Sequence, residues 1–202
     1  MSLGRDQATN FLAPLSGRTT TFLVESRGVN LTLARILTAQ VVKSGGTCAV
    51  LDLDAFYSSN SDQVFRSAGP EALSDAIIRV PRPGADLEAE LAGLFGVRHN
   101  VVIIDSLNSL YHLLAQEDGS SRGRRLSFAA SGLSYFARTN AKSVILSMYR
   151  REGFQRGGQT RSISGLTDST VAAEVRGQDM TFRNVRGPGW PGGRFSIRIP
   201  SD

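Results

Sequence analysis

The sequence predicts an α/β fold in which a mostly parallel central sheet is flanked by helices and ends in antiparallel strands. Short apolar runs, such as residues 101–104 and 144–146, are uninterrupted, as in strands that are covered on both faces. They alternate along the chain with segments of helical periodicity, which is typical of a parallel sheet. Beyond Thr170, apolar and polar residues alternate one by one, which favours antiparallel strands at an edge of the sheet.

Length and composition limit the class of protein. With 202 residues, of which 41% are hydrophobic, the chain suits one domain with a sizeable core and is too short for two ordinary domains. No apolar run approaches the length of a membrane span, and no signal-peptide pattern follows Met1. The single cysteine, Cys48, excludes an internal disulfide. We therefore expect one domain over residues 1–202, without membrane contact and in the cytoplasm.

The N-terminal half contains three predicted strands and two predicted helices. The β-branched segment Thr19–Val24 predicts a strand, and the spacing of apolar residues over Leu31–Val42 predicts a helix that the following glycines end. A second strand, Thr47–Leu51, leads into acidic residues, and Ile77–Val80 predicts a short third strand. The amphipathic segment Ala85–Phe95 predicts the second helix.

The C-terminal half continues this alternation. A strand ends at Asp105, a helix covers Leu126–Thr139, and another strand covers Ser143–Ser147. The polar, glycine-rich and arginine-rich segment Arg150–Gly165 predicts a flexible loop. The three antiparallel strands are predicted over Thr170–Val175, Asp179–Val185 and Arg194–Ile199. Trp190 lies in the turn between the last two strands, where we expect it to anchor the turn rather than to stack on a base.

Two of the predicted strands end in carboxylates. One runs into Asp105, and the other runs into Asp52 and Asp54. Parallel strands deliver such residues to one edge of the sheet, where one carboxylate can hold Mg²⁺ on a nucleotide phosphate and another can activate water. Asp105 is therefore a candidate Mg²⁺ ligand and Asp54 a candidate catalytic base. Each residue also fits a structural role, as a helix-capping or turn aspartate.

Five segments, in order along the chain, resemble the RecA, RadA and KaiC group of ATPases. Leu15–Val24 is similar to the lead-in to the phosphate loop, residues 51–54 to the element Ile-Asp-x-Glu, and Ile103–Ser109 to the Walker B strand. Val144–Tyr149 matches the strand that ends in Thr-Asn-Gln in RadA proteins, and Pro191–Ile197 matches the terminal hairpin. The resemblance covers nearly the whole chain, and it implies a RecA-like, P-loop-type core.

The chain departs from this family at the phosphate loop, GxxxxGK[ST], whose lysine reaches the β- and γ-phosphates. The aligned segment here is ESRGVNLT, residues 25–32, and neither of its two possible registers contains a lysine. Asn30 or Val29 takes the position of the lysine, and Arg27 is a nearby cation that could substitute for it. The resemblance therefore implies a RadA paralog with a degenerate Walker A motif, which binds ATP and Mg²⁺ weakly or not at all.

The same alignment implies a set of nucleotide-contact positions. They are Ser26, Arg27, Gly28, Asn30, Thr32, Asp105 and Tyr149. Asp105 would hold Mg²⁺ only if a nucleotide binds. Tyr149 replaces the glutamine that senses the γ-phosphate in the family, and we expect its ring to fill the vacated phosphate pocket. Asp54 is one methylene shorter than the glutamate of the family, so it is at most a vestigial base.

Positive charge is concentrated in the second part of the chain. Residues 121–202 contain 14 basic and 5 acidic side chains, and all but two of the 23 basic residues in the protein are arginine. A genome rich in arginine codons would give the same count without a ligand. In the RadA pattern, two loops bind single-stranded DNA, and they correspond here to His112–Arg125 and Tyr149–Gly165. The predicted DNA-binding residues are Arg122, Arg124, Arg125, Arg150, Arg151, Phe154, Arg156 and Arg161.

These features predict an accessory recombinase paralog in DNA recombination and repair, which binds single-stranded DNA, a RadA-like partner, or both. It would hydrolyse little or no ATP. One alternative is a structural RecA-like subunit that self-associates or joins a ring or heteromeric complex, and a second is a weak DNA-dependent ATPase. Residues 1–10 are expected to form a tail, without the separate N-terminal DNA-binding domain that RadA proteins usually carry.

Overall fold

The computed structural model describes residues 11–66, 76–82, 86–95, 99–115, 122–150, 165–190 and 193–199, and eight strands within them form one sheet. The strands are β1 (Arg18–Val24), β2 (Cys48–Asp52), β3 (Ala76–Arg79), β4 (Val101–Asp105), β5 (Ser143–Tyr149), β6 (Ser169–Arg176), β7 (Asp179–Arg186) and β8 (Arg194–Arg198). The helices are α1 (Arg27–Lys43), α2 (Phe56–Ser59), α3 (Ser61–Arg66), α4 (Leu87–Phe95), α5 (Leu107–Ala115) and α6 (Arg122–Thr139).

The strand order is β3-β2-β4-β5-β1-β6-β7-β8. The first six strands in this order pair in parallel, and β7 and β8 continue the sheet in antiparallel pairs. This confirms the predicted parallel sheet with antiparallel strands at its C-terminal edge. Because neighbouring parallel strands run in one direction, the carboxyl ends of β1, β2, β4 and β5 meet at the same edge of the sheet. The connections that follow these ends therefore lie next to one another.

Apolar side chains pack against both faces of the sheet. On one face, Leu33 and Leu37 of α1 and Phe65 of α3 belong to a buried cluster with side chains of β1, β2 and β4. On the other face, Leu110 of α5 and Leu133 of α6 belong to a second cluster with β4 and β5. All five residues of β2 and all five of β4 are buried. A strand that is covered on both faces needs apolar side chains at successive positions, which explains the uninterrupted runs in the sequence.

The helices differ from the sequence prediction at several boundaries. α1 begins at Arg27 rather than Leu31, because Ser26 caps its first turn and helical backbone starts before the apolar repeat does. α6 begins at Arg122 rather than Leu126, since arginine is a good helix former even without an apolar pattern. The helices α2, α3 and α5 were not predicted. No helix in the described ranges is long and apolar enough to cross a membrane.

Asp168 connects the start of β1 with α6. Its carboxylate accepts hydrogen bonds from the backbone nitrogen of Thr19 at 2.9 Å, from the Thr19 hydroxyl at 2.8 Å and from the Ser134 hydroxyl at 3.0 Å. Arg138 also donates to it. Burial alone would raise the pKa of this carboxyl, but the hydrogen bonds from Thr19, Arg138 and Ser134 outweigh burial and lower the pKa. The residue therefore joins elements that are far apart in sequence.

An aromatic cluster joins the first described residue to the C-terminal strands. Phe11 is fully buried, and its ring centroid lies 5.3 Å from that of Trp190 and 5.0 Å from that of Phe182. Phe195 of β8 belongs to the same cluster, with its ring centroid 5.8 Å from that of Trp190 and 5.9 Å from that of Phe11. Trp190 is only 3% exposed. The expectation that Trp190 anchors the turn is confirmed, because a buried ring is not presented to a base.

Candidate functional site

The connection from β1 to α1 consists of only Glu25 and Ser26. Ser26 has an extended backbone, and its hydroxyl accepts a hydrogen bond of 3.2 Å from the backbone nitrogen of Val29. The first turns of a helix offer unpaired N–H groups to an anion, and a serine cap takes up one of them. The aligned phosphate-loop residues from Arg27 onward are therefore part of a helix that begins two residues after the strand.

Asn30 lies at the centre of a buried polar network. Its side chain is 1% exposed, and its amide nitrogen donates to a carboxylate oxygen of Asp105 at 3.2 Å and to the hydroxyl of Tyr149 at 2.8 Å. An asparagine amide carries two N–H groups, so both bonds can form together. The hydroxyl of Ser147 donates to the same oxygen of Asp105. This network links the first turn of α1 to the ends of β4 and β5.

Asp105 is completely buried at the end of β4. Its second carboxylate oxygen forms no hydrogen bond with the described residues. Burial raises the pKa of Asp105 from 3.8 to about 6; the hydrogen bonds from Ser147 and Asn30 oppose this rise, and the nearby charges of Asp54 and Asp52 add to it. The carboxyl group of Asp105 is therefore an unusually weak acid, and it lies directly beneath the carboxyl edge of the sheet.

The two aspartates that follow Leu51 have different surroundings. Asp52 is fully buried, and its carboxylate accepts hydrogen bonds from the backbone nitrogens of Phe56 at 2.7 Å and Ser58 at 2.8 Å. It therefore accepts two of the free N–H groups in the first turn of α2. Asp54 is exposed and accepts hydrogen bonds from the hydroxyls of Ser106, at 2.8 Å, and Ser109. The residue that was predicted as a candidate base thus lies at the surface, held by hydroxyls that precede and begin α5.

Two adjoining depressions lie above this network, with volumes of about 300 Å³ and about 310 Å³. Arg27, Asp54 and Tyr149 line both of them. The first also contacts Gly28, Leu31, Ala55, Phe56, Ser59 and Asn60, and the second contacts Glu25, Ser106, Asn108, Ser109, His112 and Arg150. Burial raises the pKa of Tyr149 to about 12, with the charge of Asp105 adding to this effect. The Tyr149 hydroxyl is therefore neutral, and it separates the depressions from the buried Asp105.

The comparisons with known proteins bear on the fold. No family model matches the chain, and no curated protein matches it significantly. Among the solved structures that match is the crystal structure of the RadB recombinase, with a TM-score of 0.68 at 18% sequence identity. The alignment covers 96% of this chain and 94% of the other. The chain has a RecA-like fold. A likeness at this identity establishes the architecture and leaves the activity to be argued from the residues.

The RecA-like fold brings together most of the residues that the sequence predicted for a nucleotide site. Arg27, Gly28, Asp54 and Tyr149 line the depressions, Asn30 and Asp105 lie beneath them, and Ser26 caps the adjoining helix. Thr32 instead donates to the backbone oxygen of Gly28, at 3.1 Å, within α1. The sequence reasoning missed Ser147, Asn108 and Ser109. The sequence marks them only weakly, as polar residues near the end of an apolar strand and in the first turn of a helix.

The donor set at Asp105 does not fit a magnesium ion. Mg²⁺ demands octahedral coordination and usually keeps several of its water molecules. Asp105 has no exposed surface, and Asn30 and Ser147 already occupy one of its oxygens. Within the described residues, no cluster of three or more acidic, His or Cys side chains is arranged to hold a metal ion. We therefore derive no catalytic step through a metal at this position.

The predicted DNA-binding residues differ in their exposure and in their partners, and several lie outside the described residues. The range His112–Arg125 was predicted as a loop, but its first residues belong to α5 and its last residues to α6. Arg124 is exposed, whereas Arg125 forms an ion pair of 2.9 Å with Glu88 of α4. Arg150 follows β5, and its backbone nitrogen donates to Val24 at 2.9 Å. The side chain of Arg122, and all of Arg151, Phe154, Arg156 and Arg161, lie outside the described residues.

Proposed function

We propose that this chain is an accessory RecA-like recombinase paralog that acts in DNA recombination and repair without appreciable ATP hydrolysis. In this role it binds single-stranded DNA, a RadA-like recombinase, or both. The observation that carries the proposal is the hydrogen-bonded network of Asn30, Asp105 and Tyr149. In the ungapped register, Asn30 takes the position of the phosphate-binding lysine, so a neutral amide stands in place of the cation.

Two features of the candidate site argue against hydrolysis. A phosphoryl-transfer site stabilises the developing negative charge with cations and with free backbone N–H groups. Here the Asn30 amide is directed into the protein, towards Asp105, and the Ser26 hydroxyl already accepts the N–H of Val29. Arg27 remains as a cation at the rim, facing both depressions. Arg150 is a second cation at the rim of one depression. Without the lysine and free N–H groups of a phosphate loop, arginines at the rim support weak phosphate contact at most, so nucleotide would bind weakly or not at all.

The distribution of charge supports binding to DNA. Residues 121–202 carry 14 basic against 5 acidic side chains, and α6 contains no acidic residue. Arginines neutralise backbone phosphates, and an aromatic ring can stack on a base, so the segment that contains Arg151, Phe154 and Arg156 has the composition of a sequence-independent strand binder. We place single-stranded DNA binding in this segment.

Strand binding is tested by fluorescence anisotropy with a labelled oligothymidine. Replacing Arg151 and Arg156 by alanine is expected to weaken binding about tenfold at 0.1 M salt, because about two phosphate contacts are lost. The matched control replaces the exposed Arg66 and Arg82, which removes the same charge elsewhere. Phe154→Ala is expected to weaken binding to the single strand and to leave binding to a duplex unchanged. Equal affinities for the arginine variant and its control would refute DNA binding at this segment.

Hydrolysis is tested separately. Calorimetry with ATP and Mg²⁺ is expected to show no binding in the micromolar range, and phosphate release is expected to stay at background with and without oligothymidine. Micromolar nucleotide binding together with DNA-stimulated phosphate release would instead support the weak ATPase.

A structural subunit remains the second candidate, because α6 presents two aromatic side chains to solvent. Phe128 is 78% exposed and Tyr135 is 72% exposed, and they lie two helical turns apart on one side of the helix. Exposed aromatic residues are enriched where proteins associate. If the chain is a subunit of a ring or heteromer, mass photometry or ultracentrifugation will detect self-association or capture of a recombinase partner. Replacing Phe128 and Tyr135 by serine will then abolish it.

A further inference from the structure

One face of β7 and β8, together with the end of β6, is largely open to solvent. The side chains of Phe182 in β7 and Phe195 in β8 point into the aromatic cluster. Side chains alternate along a strand. Arg183, which follows Phe182, and Arg194, which precedes Phe195, therefore point to the opposite face. Both arginines are exposed, and the antiparallel register places them directly opposite each other. Two arginines are therefore neighbours at one position of the sheet.

The other charges on this face are largely compensated. Arg176 forms an ion pair of 2.8 Å with Glu174. Arg198 lies opposite Asp179 and donates to the side chain of Gln178. Within the described residues, the side chains of Arg183 and Arg194 form no hydrogen bond and no close ion pair. The excess positive charge of the face therefore resides in these two guanidinium groups.

Like charges at directly opposite positions destabilise a pair of strands, because their Cβ atoms are only about 5 Å apart. An anion between the two guanidinium groups converts this repulsion into two attractions. Phosphate is suited to that position, since arginine presents a planar fork of donors that matches phosphate oxygens. Thr181 and Ser196 form the adjacent cross-strand pair, and their hydroxyls lie 3.2 Å apart. Thr181 is buried, and the exposed Ser196 adds a neutral hydrogen-bonding group beside the arginines.

The surface continues towards the end of β5. The pKa of Glu174 is lowered chiefly by its hydrogen bond from Arg176, and the charges of Arg183 and Arg150 lower it further. Arg150 and Arg183 are thus both near the Glu174 carboxylate. Arg150 therefore adds to the positive charge near the end of this face.

We propose that Arg183 and Arg194 hold backbone phosphates of a nucleic acid, which makes the open face of β7, β8 and the end of β6 a second nucleic-acid site. The site goes beyond the proposed function, because it recognises the phosphate backbone of a duplex as readily as that of a single strand. Apart from Val185 near the end of β7, the exposed described residues of this face are polar or charged. A protein partner would need an apolar centre, whereas nucleic-acid interfaces are polar and positively charged.

The test compares variants by fluorescence anisotropy on a labelled oligothymidine and on a duplex of the same length. The face variant is Arg183→Thr with Arg194→Thr, since threonine suits a strand. Both affinities are expected to fall by about tenfold at 0.1 M salt, and the slope of log K against log salt is expected to fall by about 2. The double substitution to lysine keeps the charge and is expected to keep most of the salt slope. The control variant replaces Arg66 and Arg82 by threonine and is expected to bind like the parent.

A second readout separates binding from folding. Because the face variant loses a like-charge pair, its melting temperature is expected to equal or exceed that of the parent protein. A face variant that binds both nucleic acids like the control overturns the proposal. A face variant that keeps nucleic-acid affinity but loses affinity for polyglutamate also overturns it, in favour of an acidic protein partner.

The outcome is distinguishable from failure of the proposed function. Replacing Arg151 and Arg156 tests the strand-binding segment, and replacing Arg183 and Arg194 tests the open face. If only the former variant is affected, the second site is wrong and the proposed function stands. If only the latter variant is affected, and it loses the duplex and the single strand equally, the second site stands without the proposed strand-binding segment.

Discussion

The side-chain amide of Asn30 donates a hydrogen bond of 3.2 Å to a carboxylate oxygen of Asp105, although the two residues are 75 positions apart in the chain. Both side chains are buried, so neither can exchange this partner for water. Removing one member of such a pair leaves the other with an unsatisfied polar group in a medium of low dielectric constant. The bond therefore contributes to folding irrespective of any ligand.

Asn30→Ala is expected to lower the free energy of unfolding by about 1 to 3 kcal/mol, since Asp105 loses a buried donor. Urea titration followed by circular dichroism measures this loss. Thr32→Ala is the matched control in the same helix, because the Thr32 hydroxyl only repeats a local helical contact with Gly28. Its expected effect is within about 0.5 kcal/mol. Equal losses in the two variants would contradict a structural role for the network.

Ionisation of Asp105 is expected to destabilise the protein as pH rises. The pKa of about 6 in the folded protein exceeds the ordinary value of 3.8, so the folded state binds the proton more tightly than the unfolded state. The stabilising contribution of the protonated carboxyl is complete below about pH 4 and is lost as pH rises through about 6. The difference between the two pKa values corresponds to about 3 kcal/mol in the free energy of unfolding.

The measurement compares wild type with Asp105→Asn in urea from pH 4 to pH 8. The stability of the wild type relative to the variant is expected to decline over this range. A difference that stays constant would show that Asp105 does not titrate as inferred.

Asp168→Ala is expected to destabilise the protein with the opposite dependence on pH. The hydrogen bonds from Thr19, Ser134 and Arg138 favour the ionised carboxylate and lower its pKa. Their contribution is therefore present above about pH 4 and lost as pH falls. At pH 7 the variant should lose about 1 to 3 kcal/mol, because several donors lose one acceptor together. Asp62→Ala, at an exposed position of α3, is the control and should change stability little at any pH.

Trp190→Ala is expected to lower the free energy of unfolding by about 3 to 5 kcal/mol, because it leaves a cavity between Phe11, Phe182 and Phe195. Trp190→Phe should cost less, since it keeps an aromatic ring in the same space. Circular dichroism in urea measures both losses. Trp190 is also the single tryptophan of the protein, so its fluorescence reports on this cluster. A loss below 1 kcal/mol for the alanine variant would show that the cluster is not tightly packed.

The sequence was sufficient for the sheet because burial on both faces imposes a visible pattern. The residues of β2 and β4 are apolar at successive positions up to their terminal aspartates, and this pattern predicts both the strand and the edge that carries the carboxylates. It did not distinguish the roles of Asp52 and Asp54, which follow the same strand two residues apart. Asp52 accepts from the first turn of α2, whereas Asp54 accepts from the hydroxyls of Ser106 and Ser109. These different roles depend on how the connection after β4 packs against the connection after β2.

The network around Asn30 could be anticipated only in part. The alignment with the recombinase family placed Asn30, Asp105 and Tyr149 near one another, but it gave no hydrogen-bond partners. The bond from Asn30 to Tyr149 joins residues 119 positions apart, and no local pattern encodes such a contact. The arginine pair of β7 and β8 was also missed, because the register that places Arg183 opposite Arg194 depends on the length of the intervening turn.

The position of β1 in the sheet has a consequence for synthesis on the ribosome. Of the strands in the described residues, β1 is the first to be synthesised, yet it pairs with β5 on one side and with β6 on the other. Until Ser143 and the residues after it are made, the nascent β1 has two unsatisfied edges that can pair with another chain. β1 must therefore wait until synthesis has reached β5, and chains released before Ser143 should need a chaperone to remain dispersed.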